Sequence, residues 1–127
     1  MTYEQFADLA DRLWDEIPER FKLGLHGVHV LERVQPDPDE PELLRLGEYF
    51  DPGPPSVLGG FEGIGRHIAL YYGSFAEIAW GDPGFDWEGE IWETLIHELQ
   101  HHLESLAGWN NLILDDLERL RKYRDRG

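Results

Sequence analysis

The sequence predicts an α+β fold in a single domain, residues 1–127. Apolar residues recur at helical spacing near both ends of the chain, whereas the stretches between them alternate in the manner of strands. Helices and strands segregated along a chain in this way favour an α+β arrangement. The length is typical of one domain, and 127 residues of which 41% are apolar can bury one hydrophobic core.

The N-terminal part of the chain predicts one helix followed by two strands. Apolar residues at helical spacing predict a helix over residues 2–17, with Thr2 as its N-cap and Pro18 as the residue that stops it. Alternating residues predict strands over 26–34 and 43–50. The segment between these two strands is rich in proline and is therefore predicted to be a loop.

The middle of the chain predicts a third strand and a short helix. Residues 66–72 show the clearest alternation, and residues 74–80 suit a short helix. The segment 51–65 is rich in Gly and Pro, which predicts an irregular connection or a loop that borders a cleft. The expected sheet is therefore short and mixed, with about three to four strands.

Two helices are predicted at the C-terminal end. The first covers residues 87–107, with Asp86 as its N-cap and Gly108 as its C-cap. The second covers residues 112–124 and carries basic residues in its last turns, where they interact favourably with the helix dipole. The sheet is expected to pack on the N-terminal helix and on the helix over 87–107.

The net charge and the composition of the chain argue against nucleic acid and membranes as binding partners. The formal net charge of −15 repels a phosphate backbone, so binding to nucleic acid is not expected. No apolar run reaches the roughly 18 residues that span a membrane, and the N-terminus does not resemble a signal peptide. The absence of Cys excludes disulfides and thiolate ligands and is typical of a cytoplasmic protein.

Residues 97–101 read HELQH, which is the HExxH arrangement found in many zinc hydrolases. At about 100° per residue, His101 and Glu104 each fall within about 40° of His97 on the helix. The two imidazoles are one turn apart and close enough to hold one Zn²⁺ ion. The opposite face carries the apolar stripe of Trp92, Leu95, Leu99, Leu103 and Leu106.

The residue types suit hydrolysis assisted by a metal ion. Neutral imidazoles from His97 and His101 leave zinc positive enough to lower the pKa of a water molecule. Glu98 lies about 100° round the helix from His97, where its carboxylate can act as the general base for that water. The competing interpretation is an acidic, solvated helix face on which the histidines are incidental.

Beyond the motif, the whole chain resembles the minimal zincin-like metallopeptidases, a family of small bacterial proteins. The resemblance implies a small zincin fold in which the HExxH helix lines a cleft beside an edge strand. It also implies zinc binding by His97 and His101 and a catalytic role for Glu98. It rests on the following segments in this order: EIPERF (16–21), HGVHVLERV (26–34), LGEY (46–49), IALYYG (68–73), TLIHELQHH (94–102) and LDDLERL (114–120).

The third metal ligand is the point at which the sequence departs from the family. The family motif commonly extends as HExxHxxGxxD, and here the Gly position is Glu104 and the Asp position is Ala107. Asp115 or Asp116 is favoured as the third ligand, if a reversal at residues 108–111 returns the chain to the metal. Glu104 needs no reversal but gives poor tetrahedral geometry, and water in place of a protein ligand would leave a weak site.

We therefore expect a zinc-dependent metallopeptidase that acts on a peptide or protein substrate. The alternative is a catalytically weak or inactive module, for metal binding or protein interaction, on a zincin scaffold. A structural acidic protein that binds a basic partner is a third hypothesis.

Overall fold

The described part of the chain comprises residues 1–51, 65–106 and 111–125 of a computed structural model. It contains four helices, three strands and one short 3-10 turn, which confirms the predicted α+β class and the minimal zincin-like arrangement. The elements in chain order are α1 (Tyr3–Glu16), the turn Glu19–Phe21, β1 (Val28–Leu31), β2 (Gly47–Phe50), β3 (His67–Tyr71), α2 (Tyr72–Trp80), α3 (Trp87–Ser105) and α4 (Asn111–Asp125).

Helix α1 begins and ends where the sequence predicts. The Thr2 hydroxyl accepts a hydrogen bond from the Gln5 backbone at 3.1 Å, and the Gln5 side chain accepts one from the Thr2 backbone at 2.8 Å. This reciprocal capping box satisfies two amides that would lack partners at the helix start. Ile17 precedes a proline and adopts an extended backbone, which ends the helix at Glu16.

The sheet is mixed, with β3 in its centre. Strand β1 pairs with β3 in parallel and β2 pairs with β3 antiparallel, so β1 and β2 are the edge strands. The strands predicted over 26–34 and 43–50 are both too long. Before β2 the chain pairs with its own preceding loop, through a bridge between Pro36 and Leu44, instead of extending the sheet. The predicted loop over 51–65 lies, apart from its two end residues, outside the described residues.

One hydrophobic core lies between the sheet and the helices. Helix α3 packs on α1, β2 and β3, and the buried side chains of α1, β3 and α2 meet those of α3. The predicted apolar stripe of α3 is the buried face, and Leu95 and Leu99 are fully buried. The core therefore fixes the rotation of α3, and with it the direction in which the opposite face points.

Helix α3 starts as predicted and ends two residues early. The Asp86 side chain caps it by accepting a hydrogen bond from the Gly89 backbone at 3.1 Å. The predicted continuation to residue 107 is wrong, because Leu106 has an extended backbone and packs against the core. The predicted cap at Gly108 lies outside the described residues.

Helix α4 runs antiparallel to α3. Its late residue Arg124 contacts Glu88 near the start of α3 at 2.8 Å, and Arg121 contacts Glu93 one turn further along α3 at 3.1 Å. Leu117 faces the core and is buried. Within the described residues, none of the helices has both the length and the apolar composition needed to cross a membrane.

Candidate metal centre

The two histidines of the HExxH motif meet on the exposed face of α3. The Nε2 atoms of His97 and His101 are 3.2 Å apart, and their rings lie almost perpendicular. Two nitrogens on one tetrahedral Zn²⁺, each roughly 2.0–2.1 Å from it, would be about 3.3 Å apart. The pair therefore fits a zinc ion in separation and in donor type. Without a metal, one shared proton can hold the two nitrogens at this distance.

Glu98 lies beside the two histidines but is buried. Only 8% of the residue is exposed, because the side chain lies between α3 and strand β2. Burial raises the pKa of the Glu98 carboxyl, and the nearby His97, His101 and Tyr49 backbone oppose this shift by favouring the charged form. A carboxylate whose pKa is raised by burial is a stronger proton acceptor than an exposed one.

Strand β2 brings to these residues a sheet edge that no other described strand covers. The Tyr71 amide donates to the Leu46 carbonyl at 2.9 Å, which makes that pair a hydrogen-bonded one. Because hydrogen-bonded pairs alternate in an antiparallel ladder, the backbone groups of Gly47 and Tyr49 point away from β3. They point towards the α3 side, where the Tyr49 backbone favours the charged form of the Glu98 carboxyl. The strand edge and the HExxH motif therefore face one another.

Gly47 permits this close approach of strand and helix. A Cβ atom at this position would lie 2.6 Å from Cγ2 of Thr94 and 3.2 Å from the carbonyl oxygen of Ala69. The first distance is far below a normal contact, so a side chain here would force the Thr94 side chain or strand β2 to shift. The sequence offers no signal for this requirement, because Thr94 is distant from Gly47 along the chain.

An open cleft runs between β2 and α3. Its larger part has a volume of about 620 Å³, and a second depression of about 370 Å³ shares Gly47, His97 and Glu98 with it. The larger part is lined by Asp37, Arg45, Gly47, Glu48, Tyr49, His97, Glu98, His101 and Ser105. This cleft is open to solvent.

The three candidate third ligands are not brought together with the histidines. Glu104 and Asp115 are exposed, and Asp116 forms an ion pair with Arg119 at 2.7 Å. Within residues 1–51, 65–106 and 111–125, no three His, Asp, Glu or Cys side chains are grouped to hold one ion. The predicted reversal at residues 108–111 falls largely outside the described residues. The identity of the third ligand therefore stays a prediction.

His102 is a structural residue and joins three parts of the molecule. It is fully buried, and its Nε2 lies 2.7 Å from the Leu23 carbonyl oxygen. Burial lowers the pKa of His102 and favours the neutral ring. A carbonyl only accepts, so Nε2 carries the proton and Nδ1 accepts from the Tyr49 hydroxyl at 3.0 Å. The Tyr49 hydroxyl also lies 3.1 Å from Oγ of Ser105.

A cluster of charged side chains in the cleft was missed from the sequence. The Arg45 guanidinium contacts Asp37 and Glu48, each at 3.3 Å. Glu48 also accepts a hydrogen bond at 2.9 Å from the hydroxyl of the buried Tyr71. The charges of Arg45 and Glu98 interact across the cleft. Strand alternation predicts that Glu48 points away from the Gly47 face, but it does not predict these partners.

The zincin-like metallopeptidase family matches residues 25–122, which is most of the chain and includes the strands, α3 and most of α4. The chain belongs to this family. The match confirms the resemblance seen in the sequence and supports a metallopeptidase scaffold.

A solved structure agrees with this assignment. The chain is similar to a conserved hypothetical protein from Thermus thermophilus, with 63% identity, a TM-score of 0.76, and coverage of 86% of this chain and 100% of that one. The comparison with curated proteins gave no match. The family of the chain is thus established, whereas any reaction that it catalyses is not given by these relatives.

Proposed function

We propose that this protein is a zinc-dependent metallopeptidase that hydrolyses peptide bonds in the cleft between β2 and α3. The observation that carries the proposal is the 3.2 Å separation of the His97 and His101 nitrogens beside a buried Glu98. Zinc usually serves this family, and when bound it would polarise the substrate carbonyl and acidify a water molecule. The substrate is a peptide or protein segment, and the absence of Cys supports a cytoplasmic setting.

The substrate would bind as an additional strand. The backbone groups of Gly47 and the Tyr49 carbonyl point into the cleft, and an extended peptide can hydrogen-bond to them. Such pairing depends on the peptide backbone and holds the scissile bond at a fixed height above α3. We therefore expect recognition of extended segments, with the side chains of the cleft adding selectivity.

Glu98 would move the proton during hydrolysis. As the oxygen of water bonds to the carbonyl carbon, Glu98 accepts the proton that the water releases. When the carbon–nitrogen bond breaks, Glu98 gives that proton to the nitrogen, and the products are a carboxyl group and an amine. Burial between β2 and α3 holds the carboxylate in place for both transfers.

The test uses an unbiased library of peptides, because the cleavage specificity is not known in advance. The parent loaded with zinc should create new peptide termini that mass spectrometry detects, and a chelator should suppress them. Glu98→Gln should keep its zinc affinity and lose at least about 10²-fold in rate. His97→Ala should lose zinc affinity and cleavage activity. His29→Ala, which alters an exposed histidine on β1, should keep both zinc affinity and cleavage activity. A parent that binds zinc and generates no termini would refute the peptidase function.

The second candidate is a non-catalytic module that binds metal or a partner on the same scaffold. It is favoured by one observation, that no group of three potential ligands occurs among the described residues. Two histidines alone bind zinc weakly and leave several positions to water. Zinc binding that depends on His97 without any cleavage would favour this candidate over the first.

A further inference from the structure

Arg45 has a clamped position in the wall of the cleft. Its guanidinium lies between Asp37 and Glu48, with Nη2 and Nη1 each 3.3 Å from a carboxylate oxygen. The other oxygen of Asp37 accepts backbone hydrogen bonds from Asp39 at 2.9 Å and Glu40 at 3.1 Å. Each carboxylate is thus fixed by a further partner, and the guanidinium is held without needing to reorganise.

The ion pairs of Arg45 with Asp37 and Glu48 leave some of its hydrogen-bond donors unused. A guanidinium has five N–H groups, and the contacts with Asp37 and Glu48 use one on each terminal nitrogen. The side chain is 28% exposed and lines the same cleft as His97, Glu98 and His101. Of the described residues that line this cleft, Arg45 alone carries a permanent positive charge. Its remaining N–H groups are therefore available to a ligand in the cleft.

Two kinds of substrate group could bind to Arg45: a carboxylate, or a carbonyl whose neutral oxygen becomes negative during the reaction. The surroundings of Arg45 favour the carbonyl. Asp37 and Glu48 already place two negative charges on one guanidinium, and a substrate carboxylate would add a third. A peptide carbonyl carries no such charge when it binds. It becomes an oxyanion only as water attacks it, and preorganised N–H donors then stabilise the developing charge.

We propose that Arg45 is a catalytic residue that donates a hydrogen bond to the oxygen of the attacked substrate carbonyl. This inference rests on the proposed peptidase function, because it names the group that stabilises the same reaction. Arg45 and Glu98 line the same cleft, so one substrate group bound there can face both residues. Arg45 makes no covalent bond and keeps its proton throughout, so the balance of the hydrolysis is unchanged.

The experiment compares two blocked tetrapeptides that differ at one linkage. One has an ordinary amide, and in the other an anionic tetrahedral phosphinate replaces that amide and imitates the developing oxyanion. Both affinities are measured by calorimetry on zinc-loaded protein in a Glu98→Gln background, in which the amide peptide is not cleaved. Arg45→Gln should bind the phosphinate at least about 10²-fold more weakly and the amide peptide less than about threefold more weakly.

Two further variants serve as a matched control and as a second test of Arg45. Arg33→Gln alters an arginine that lies over the Tyr71 ring and does not line the cleft, so both affinities should stay at the parent level. Arg45→Lys keeps a positive charge between Asp37 and Glu48 and decides the question if Arg45→Gln does not fold. It should still lose at least about tenfold in phosphinate affinity, because one ammonium lacks the fork of donors.

The outcomes separate this inference from the peptidase function. An equal loss for both peptides, or no loss for the phosphinate, overturns the role of Arg45 alone. Phosphinate binding that depends on Arg45, in a parent that cleaves nothing from the peptide library, shows that Arg45 binds a tetrahedral anion but refutes the peptidase function, and with it the catalytic role. A zinc-loaded parent with no preference for the phosphinate over the amide refutes the role of Arg45 as well.

Discussion

The Tyr49 hydroxyl hydrogen-bonds Nδ1 of His102 at 3.0 Å and so joins the edge strand β2 to helix α3, next to His101 of the HExxH motif. The same imidazole donates to the Leu23 carbonyl oxygen at 2.7 Å, which ties the segment after α1 to this junction. The Tyr49 backbone also favours the charged form of Glu98, so the same residue lies against the proposed base. The geometry of the cleft depends on this junction.

Removing the Tyr49 hydroxyl should destabilise the protein. Tyr49→Phe leaves Nδ1 of the buried His102 without its donor, and an unsatisfied buried polar atom costs about 1–3 kcal/mol. Urea denaturation monitored by tryptophan fluorescence measures the loss in unfolding free energy. Tyr123→Phe, at a position that is 77% exposed, is the matched control and should change stability by less than about 0.5 kcal/mol. Equal stabilities for the two variants would contradict the proposed junction.

A side chain at position 47 should separate β2 from α3. Gly47→Ala places a methyl group 2.6 Å from Cγ2 of Thr94 and should cost about 1–3 kcal/mol of unfolding free energy. Thr94→Ser removes that methyl group and keeps the hydroxyl that donates to the Glu90 carbonyl at 2.8 Å. The double variant should therefore recover part of the loss, as a double-mutant cycle would show. Strict additivity would mean that this contact does not limit position 47.

The buried Glu98 should make the metal-free protein less stable as pH rises. Its pKa is raised in the folded state, so the folded protein binds more protons than the unfolded chain between the ordinary carboxyl pKa of 4.5 and the raised value. The stabilisation is fully present below that range and is lost as pH rises through the folded pKa. Glu98→Gln should therefore be more stable than the parent at pH 7, by about 0.5–2 kcal/mol, with a smaller gain at pH 4.

His102 should act in the opposite direction in the same titration. Burial lowers its pKa below the ordinary 6.5, so the unfolded chain binds more protons than the folded protein just below that pH. Stability is lost there as pH falls, in the parent and in Glu98→Gln alike. The difference between the two proteins therefore isolates Glu98. A difference that does not vary with pH would show that the Glu98 pKa is not raised by folding.

The sequence predicted those parts of the site that one helix determines. His97, Glu98 and His101 lie within one turn of each other, so helical phase alone places them on adjacent faces. The contacts across the cleft depend instead on the register of β2. Tyr49 and His102 are 53 residues apart in the chain, and a shift of one residue in β2 would turn Tyr49 away from α3. The Arg45 cluster was missed for the same reason.

The sequence also predicted the start of β2 and the end of α3 incorrectly, because both depend on tertiary contacts. Residues 43–45 belong to the predicted strand, but they pair with the loop around Pro36 and not with β3. Leu106 fits the apolar stripe of α3, yet it packs against the core with an extended backbone. In both cases a tertiary contact overrides a local preference, which no pattern within the segment reveals.

A third ligand would decide how tightly the proposed site holds zinc. If Asp115 or Asp116 completes the site, Asp115→Ala or Asp116→Ala should weaken zinc binding by about 10–100-fold or more, and Glu104→Ala should do so if Glu104 is the ligand. Competition with a chromogenic chelator measures these affinities at constant pH. The pH must be fixed because protons compete for the His97 and His101 nitrogens, so that affinity falls with pH through the imidazole range. If none of the three variants changes the affinity, the two histidines bind zinc without a carboxylate from these positions, and the non-catalytic module becomes the better description of this protein.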